Sequence, residues 1–223
     1  MATVGLIGGT GDLGNALAVH LAKKYLVFIG SRSLDKAQST VNDVLEEKSA
    51  SSYLQSNLRP AENSQVVTSC DSLILTVPHS NALDTIQSLL TSFRGNQLLI
   101  SAVAAVGKQD DEFFVDEVPG GGSFAESIRK ILPDTVKVAA AFQTVPANVM
   151  YKELSISADV PVAADSPDTY SSAASLISDI QGLRPLHVGS LKQANEVERL
   201  TALLLNIGKR NALKSPTTKF PSF

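Results

Sequence analysis

A glycine-rich turn near the amino terminus constrains the fold more than any other feature of this chain. The segment Gly9–Gly14 has the pattern GxGxxG and comes soon after a short apolar run, Val4–Ile7. Apolar residues then recur at helical spacing from Leu13 to Leu21, and a second apolar run, Leu26–Ile29, closes a βαβ unit. A strand, a glycine turn and a helix in this order are typical of a dinucleotide-binding unit. The alternative is a glycine turn without a ligand.

The glycines of such a turn have separate physical roles. One glycine permits the tight turn, the next lets the backbone approach a pyrophosphate, and the last allows the helix to pack closely on the strand. The unpaired amides at the start of the helix then face the two phosphates.

The end of the second predicted strand indicates which dinucleotide binds. An NAD site normally places Asp or Glu about 20 residues beyond the glycines, where the carboxylate binds the ribose 2′-hydroxyl. This chain has Gly30, Ser31 and Arg32 there, with Lys36 one helical turn later. A hydroxyl, a guanidinium and an ammonium can bind a 2′-phosphate, which a carboxylate would repel. The sequence therefore predicts NADP(H) rather than NAD(H), unless Arg32 and Lys36 only form a solvated helix face.

Short apolar runs alternate with helical patterns through the first half of the chain, which predicts a parallel sheet with crossover helices. Further strands are expected at Leu73–Val77, Leu98–Ile100 and Val136–Phe142. Residues 49–65 are interpreted as a loop that leads to a short helix ending near Cys70, a buried thiol rather than a nucleophile. The expected fold is α/β, a Rossmann-type doubly wound parallel sheet with a small C-terminal α/β annex.

The sequence pattern changes near residue 150. We divide the chain into an NADP-binding Rossmann domain, residues 1–149, and a small C-terminal part, residues 150–223. Residues 156–162 alternate apolar and polar and include a proline, which predicts an edge strand with one solvent-exposed face. A long final helix begins near Leu191, and Leu203–Leu205 make it apolar on more than one side. We expect this helix to pack against a partner subunit or to cover a ligand cleft.

Composition excludes several classes of function. Nineteen Lys and Arg against 22 Asp and Glu give a net charge of −3, without a run of like charge. This balance argues against nucleic acid or an anionic membrane as the main partner. There is neither an apolar stretch of about 18 to 20 residues nor a secretion signal, so we expect a cytoplasmic protein. One cysteine and three scattered histidines exclude an internal disulfide and provide no evident metal site.

Residues that follow the predicted strands are candidates for the reacting end of the site, because a dinucleotide lies across the carboxyl ends of a doubly wound sheet. Val77–His79, Ser101–Ala104 and Gln143–Ala147 are therefore expected to line the nicotinamide pocket. His79 could act as an acid or base, or could be a capping or surface residue at the start of the next helix. No His-Asp dyad stands out at these strand ends, so the chemistry should need little beyond positioning. Gly120–Gly122 is interpreted as a surface loop, because no Gly-Lys-Ser/Thr follows it.

Taken together, these residues resemble the archaeal and bacterial NADPH-dependent reductases of coenzyme F420, an 8-hydroxy-5-deazaflavin. The resemblance extends over almost the whole chain. It depends on Gly8–Gly14 and Gly30–Arg32 at the NADP site, on Thr144–Ala147 beside the nicotinamide and, most distinctively, on Gly182–Leu186 and Leu200–Ile207.

The resemblance implies reversible hydride transfer between reduced coenzyme F420 and NADP⁺. We also expect a homodimer, because the small C-terminal part would need a second subunit to cover the cleft. Four sets of residues follow from the resemblance: Gly9, Thr10, Gly11, Asp12 and Leu13 at the phosphates and ribose; Ser31, Arg32 and Lys36 at the 2′-phosphate; Val77, His79, Asn81, Ala104 and Ala147 at the nicotinamide half; and Gln143, Val145, Thr201 and Leu205 at the deazaflavin ring.

Two residues depart from the family pattern. Gln143 stands where histidine is expected, and it can donate a hydrogen bond but cannot carry charge. Arg199 stands where a small hydroxyl residue is expected, and it either pairs with an anionic group of the second cofactor or narrows that pocket. These departures leave open an NADPH-dependent flavin or imine reductase. The lack of an evident acid–base pair leaves open an NADP(H)-sensing binding protein without turnover.

Overall fold

An eight-stranded, mostly parallel β-sheet forms the centre of the computed structural model, which describes residues 1–48, 51–152 and 156–221. The strands are β1 (Thr3–Ile7), β2 (Leu26–Ser31), β3 (Leu58–Glu62), β4 (Ser72–Leu75), β5 (Leu98–Ser101), β6 (Val106–Gln109), β7 (Glu112–Val115), β8 (Lys137–Ala140), β9 (Ala158–Ala164) and β10 (Leu183–Gly189). The helices are α1 (Asp12–Leu21), α2 (Leu34–Glu47), α3 (Ser52–Asn57), α4 (Asn63–Ser69), α5 (His79–Leu89), α6 (Phe124–Ile131), α7 (Ala147–Lys152), α8 (Pro167–Ser178) and α9 (Ala194–Arg210). No helix in these ranges is both long and apolar enough to cross a membrane.

The strand order of the large sheet is β10-β9-β8-β5-β4-β1-β2-β3. The paired strands run parallel except β8 and β9, which are antiparallel. The chain begins in the middle of the sheet at β1, runs outward through β2 and β3, and then returns to β4 on the other side of β1. The carboxyl ends of β1 and β4 therefore flank a topological switch point, where ligands bind in open α/β sheets. The predicted Rossmann-type fold is confirmed.

The interpretation of residues 49–65 as a loop is wrong for their described part, residues 51–65. This segment contains α3, the edge strand β3 and the first turn of α4. β3 pairs in parallel with β2 and tolerates Pro60, because a strand at the edge of a sheet has one side on which its amides need no partner. The short helix does end at Cys70, whose side chain is fully buried, and burial raises the pKa of the thiol to about 12.

The prediction of an edge strand with a solvent-exposed face at residues 156–162 is also wrong. β9 lies between β8 and β10, and all seven of its residues are buried. One face packs on α8, and the polar residue of the other face, Asp159, is covered by Arg184 and by the C-terminal segment. The edge position belongs instead to β10, which is partly exposed. The antiparallel hairpin of β6 and β7 was not predicted.

A buried carboxylate joins α9 to the start of α6. Phe124 N donates to Glu198 Oε2 at 3.0 Å, and Ala125 N donates to Glu198 Oε1 at 3.1 Å. The carboxylate therefore satisfies two amides that a helix start leaves without intrahelical partners. Burial raises the pKa of Glu198 to about 7, although the two amide donors oppose this shift.

This geometry predicts a pH-dependent contribution of Glu198 to stability. Its carboxyl ionises near 4.5 in the unfolded chain and near 7 in the folded protein, so the folded state binds more protons between these pH values. The folded protein therefore loses stability as the pH rises through this window. Because glutamine does not titrate, the unfolding free energy of the wild type minus that of Glu198→Gln should fall across the window and level off above it. Urea denaturation inside and outside the window measures this difference, and a constant value would contradict the assignment.

Candidate functional site

The glycine turn between β1 and α1 is too crowded for side chains at its beginning and end. Gly8 has a φ of +70°, and a Cβ atom there would lie 2.2 Å from Val77 Cγ1. A Cβ atom on Gly14 would lie 2.3 Å from the carbonyl oxygen of Gly9, so α1 can approach the turn only with glycine at this position. Gly11 differs, because its Cβ atom would meet nothing within 4 Å and no side chain caps α1. The start of α1 is therefore open to a phosphate group.

Ser31, Arg32 and Lys36 line one cleft of about 680 Å³ beside the end of β2. Arg32 and Lys36 are exposed, and no ion pair joins either of them to an acid of the described residues. Both cations are thus available to an anionic ligand. Two acids of the same cleft, Glu62 and Asp84, were not singled out from the sequence. Thr10, Val77 and Asn81 of the predicted set also line this cleft.

Asn63 supports the glycine turn, a role that sequence reasoning missed. Its side-chain Oδ1 accepts a hydrogen bond from Gly8 N at 3.0 Å, and the residue is buried. The same oxygen would lie 2.6 Å from a Cβ atom on Gly30. The contact between Asn63 and the glycine turn therefore leaves no room for a side chain at position 30. Asn63 begins α4, directly after β3. No local pattern indicates this contact, because it depends on the pairing of β3 with β2.

The carboxyl ends of β4 and β5 carry two further predicted residues, His79 and Ala104. His79 begins α5, and its Nε2 lies 2.8 Å from Asp116 Oδ2. The inference that no His-Asp dyad lies at the strand ends is therefore wrong, because Asp116 reaches His79 from the loop after β7, which the sequence interpretation did not include. Ala104 follows β5, and its carbonyl oxygen accepts from Val106 N at 2.9 Å.

The turn after β8 and the helix α9 line a second cleft of about 560 Å³. Gln143 Nε2 donates to Ser101 O at 3.0 Å, and Thr201 Oγ1 donates to Gln143 O at 3.0 Å. Gln143 Oε1 is buried and has no hydrogen-bond partner among the described residues. A buried polar atom without a partner costs about 1 to 3 kcal/mol, which an N–H group of a bound ligand would recover. The predicted residues along this cleft are Asp12, Gln143, Val145, Ala147, Thr201 and Leu205.

Arg199 lies along a third cleft of about 550 Å³, together with Asn195, Asp116 and the exposed loop Gly120–Gly122. The interpretation of this loop as a surface loop is confirmed, since its three glycines are exposed and have φ values of +82°, +77° and +75°. Arg199 does not line the cleft of Gln143, so the two residues that depart from the family pattern lie in different clefts.

Of the remaining predicted residues, Gly9 and Gly11 form the glycine turn, and Leu13 in the first turn of α1 packs partly on the core.

Comparison with known proteins identifies the family. Residues 3–105 match the model of the family described as NADP oxidoreductase, coenzyme F420-dependent. The chain is 30% identical over 225 aligned residues to the F420-dependent NADP reductase of Methanothermobacter thermautotrophicus, covering 95% of this chain and 91% of that protein. The protein belongs to the coenzyme F420-dependent NADP oxidoreductase family. The F420-dependent NADP reductase of Methanocaldococcus jannaschii is 26% identical over 92% of this chain and 91% of its own length.

Two solved structures share the fold of this family member. One, from an Arthrobacter species, is described as a candidate F420-dependent NADP-reductase and superposes with a TM-score of 0.81 at 16% identity over the full length of both chains. The other, a hypothetical protein from Sinorhizobium meliloti, superposes with a TM-score of 0.68 at 24% identity, covering 89% of this chain and 90% of that chain. At these identities the likeness shows the fold alone.

If the cleft of Ser31, Arg32 and Lys36 binds the 2′-phosphate of NADPH, two single substitutions should differ in their effect on dinucleotide selectivity. Arg32→Ala should weaken NADPH binding by about 10- to 150-fold and leave NADH binding nearly unchanged, because a hydrogen bond to a charged group is worth about 1.5 to 3 kcal/mol. Asn63→Ala should weaken both dinucleotides by similar factors, because it loosens the turn that both share. Calorimetric titration of each variant with NADPH and NADH measures these effects, with Gln65→Ala on the exposed side of α4 as the control. Equal losses of both dinucleotides in Arg32→Ala would contradict the 2′-phosphate assignment.

Proposed function

We propose that this protein transfers hydride reversibly between reduced coenzyme F420 and NADP⁺. The observation that carries the proposal is that two clefts border the start of α1, one lined by Thr10 and the other by Asp12, in a chain that aligns with an F420-dependent NADP reductase over 95% of its length. Asp12 opens α1 beside the glycine turn and also lines the cleft of Gln143 and Thr201. A dinucleotide on the turn and a flat ring in the second cleft would therefore be neighbours.

The dinucleotide half of the site fits NADP(H). The open start of α1 accepts the pyrophosphate, while Ser31, Arg32 and Lys36 bind the 2′-phosphate by charge-assisted hydrogen bonds. Gly9, Thr10, Gly11 and Leu13 shape the turn, and the nicotinamide half is assigned to Val77, His79, Asn81, Ala104 and Ala147. We infer that residues 1–149 form this NADP-binding part and that residues 150–223 complete the second cleft.

The second cleft fits a flat ring that carries N–H donors. Gln143 Oε1 is an acceptor that no described side chain uses, so it is available to an N–H group of the deazaflavin ring. Val145 and Leu205 provide apolar walls, and Thr201 supports the backbone of Gln143. The two cofactors supply the hydride donor and acceptor themselves. The chain then has to bind, orient and shield them, which needs no acid–base residue.

The two alternative functions are not favoured. Gln143 and Arg199 motivate a flavin or imine reductase, yet the relatives that match nearly the whole chain are named F420-dependent NADP reductases. A binding protein without turnover was motivated by the apparent lack of an acid–base pair. His79 and Asp116 lie within hydrogen-bond distance, and direct hydride transfer does not require such a pair, so this motive carries little weight.

Anaerobic mixing of the purified protein with NADPH and coenzyme F420 tests the proposal. The absorbance bands of both cofactors should fall together, and the reverse reaction should start from reduced coenzyme F420 and NADP⁺. FMN, FAD and a cyclic imine in place of coenzyme F420 should give little or no NADPH oxidation. Failure to interconvert the two cofactors by a preparation that binds NADPH would overturn the proposal. Faster turnover with FMN or the imine would support the alternative reductase.

We further propose that two copies of the chain associate through α9. Leu203 and Ile207 lie about one turn apart on one side of α9 and are 55% and 39% exposed, and Phe114 on the neighbouring β7 is 41% exposed. Clusters of large exposed apolar side chains mark interaction surfaces. Sedimentation equilibrium should give about twice the chain mass of 23.5 kDa, and Leu203→Glu combined with Ile207→Glu should give the monomer mass. A monomeric wild type at micromolar concentration would contradict this prediction.

A further inference from the structure

The turn after β8, residues Phe142–Val145, is held in an unfavourable backbone conformation. Phe142 has a φ of +77°, in the left-handed region that bulky residues avoid, and its side chain is only 1% exposed. Val145 N donates to Phe142 O at 3.1 Å and closes the turn. A conformation of this kind costs about 1 to 3 kcal/mol and persists only where the surrounding structure fixes it.

Hydroxyl groups from the C-terminal part bind both central carbonyl groups of this turn. Thr201 Oγ1 on α9 donates to Gln143 O at 3.0 Å. Thr217 Oγ1 donates to Thr144 O at 2.9 Å. The two carbonyl groups therefore have fixed partners, and the turn cannot reorient without breaking these bonds.

The segment Ser215–Phe220, here called the C-terminal strap, adds a third contact to the turn. Thr218 Oγ1 lies 3.2 Å from Thr144 Oγ1 and 2.6 Å from Asp159 O. A carbonyl oxygen can only accept, so Thr218 gives its single hydroxyl proton to Asp159 and Thr144 is the donor in the other pair. The hydroxyl of Thr218 thus links the turn to β9.

The C-terminal strap is anchored on β9 through the buried carboxylate of Asp159, which pairs with the partly exposed Arg184. Asp159 N donates to Thr218 O at 2.9 Å, and Phe220 N donates to the Asp159 carboxylate. Arg184 of β10 binds both carboxylate oxygens of Asp159 at 2.7 Å, although the aspartate side chain is fully buried. Bidentate pairs of this kind fix geometry as well as charge. Arg184 belongs to the distinctive segment Gly182–Leu186, for which the proposed function alone gives no role.

We propose that the C-terminal strap is a positioning element for hydride transfer. Thr217 holds the strained turn in the form that presents Gln143 to the second cleft, and Ser215 and Pro216 of the strap line that same cleft. This inference depends on the proposed function, which places the second cofactor in this cleft. The 2′-phosphate cleft at the end of β2 is lined by none of the strap residues. The strap should therefore affect the hydride step and leave NADPH binding unchanged.

The variants Thr217→Val and Thr217→Ser test this proposal. Valine has nearly the shape of threonine but lacks the hydroxyl donor, whereas serine keeps it. Thr68→Val is the matched control, because Thr68 also donates to a backbone carbonyl, that of Gln65 at 3.0 Å, but lies on α4. Three quantities are measured: the single-turnover rate of hydride transfer from NADPH to coenzyme F420, the Kd for NADPH, and the hydrogen exchange rate of the Val145 amide.

Thr217→Val should slow hydride transfer by about 10- to 100-fold, because misplacement by about 1 Å is enough for such a loss. Its NADPH Kd should stay within about twofold of the wild type, and the Val145 amide should exchange faster. Thr217→Ser should restore both the rate and the protection, and Thr68→Val should match the wild type.

Wild-type rate and exchange in Thr217→Val would overturn the proposal, as would a loss of NADPH binding as large as the loss of rate, or no rescue by serine. If the wild type transfers no hydride at all, the proposed function fails. The exchange of the Val145 amide then still decides whether the strap holds the turn.

Discussion

The close approach of α1 to the turn after β1 determines where the other parts of the site can lie. Because Gly14 has no side chain, the helix packs directly on the carbonyl group of Gly9, and its start has no side-chain cap. A dinucleotide bound there, as proposed, would extend in two directions from the switch point between β1 and β4. One direction reaches the cations after β2, and the other reaches the turns after β4, β5 and β8.

The C-terminal part contributes polar contacts as well as apolar cover. α9 supplies a carboxylate to the start of α6 and a hydroxyl to the turn after β8. The C-terminal strap then links the same turn to the ion pair of Asp159 and Arg184. Unlike burial of apolar area, such contacts require defined partners and directions. The turn that would face a second cofactor is thus held by hydrogen bonds from α9 and from the C-terminal strap.

Features that depend on neighbouring residues could be predicted from the sequence, and features that depend on distant pairing could not. The βαβ unit and the cations Arg32 and Lys36 follow from local patterns, and the structure places both cations in one cleft. Asn63 and Asp116 were missed because they reach the site through β3 and through the β6–β7 hairpin, which no local pattern indicated. The alternating pattern of β9 predicted a solvent-exposed face, because an aspartate at position 159 is typical of such a face. In the structure, Arg184 and the C-terminal segment cover Asp159.

In the proposed reaction, hydride passes directly between two cofactors that the protein holds side by side. NADPH that carries deuterium at the transferable position of nicotinamide C4 tests it most directly, in an anaerobic reaction with coenzyme F420 in ordinary water. Mass spectrometry should find the deuterium in the reduced deazaflavin, with no loss to solvent, because direct transfer passes through no free intermediate. Deuterium released into the water, or reduced deazaflavin without the label, would contradict the account.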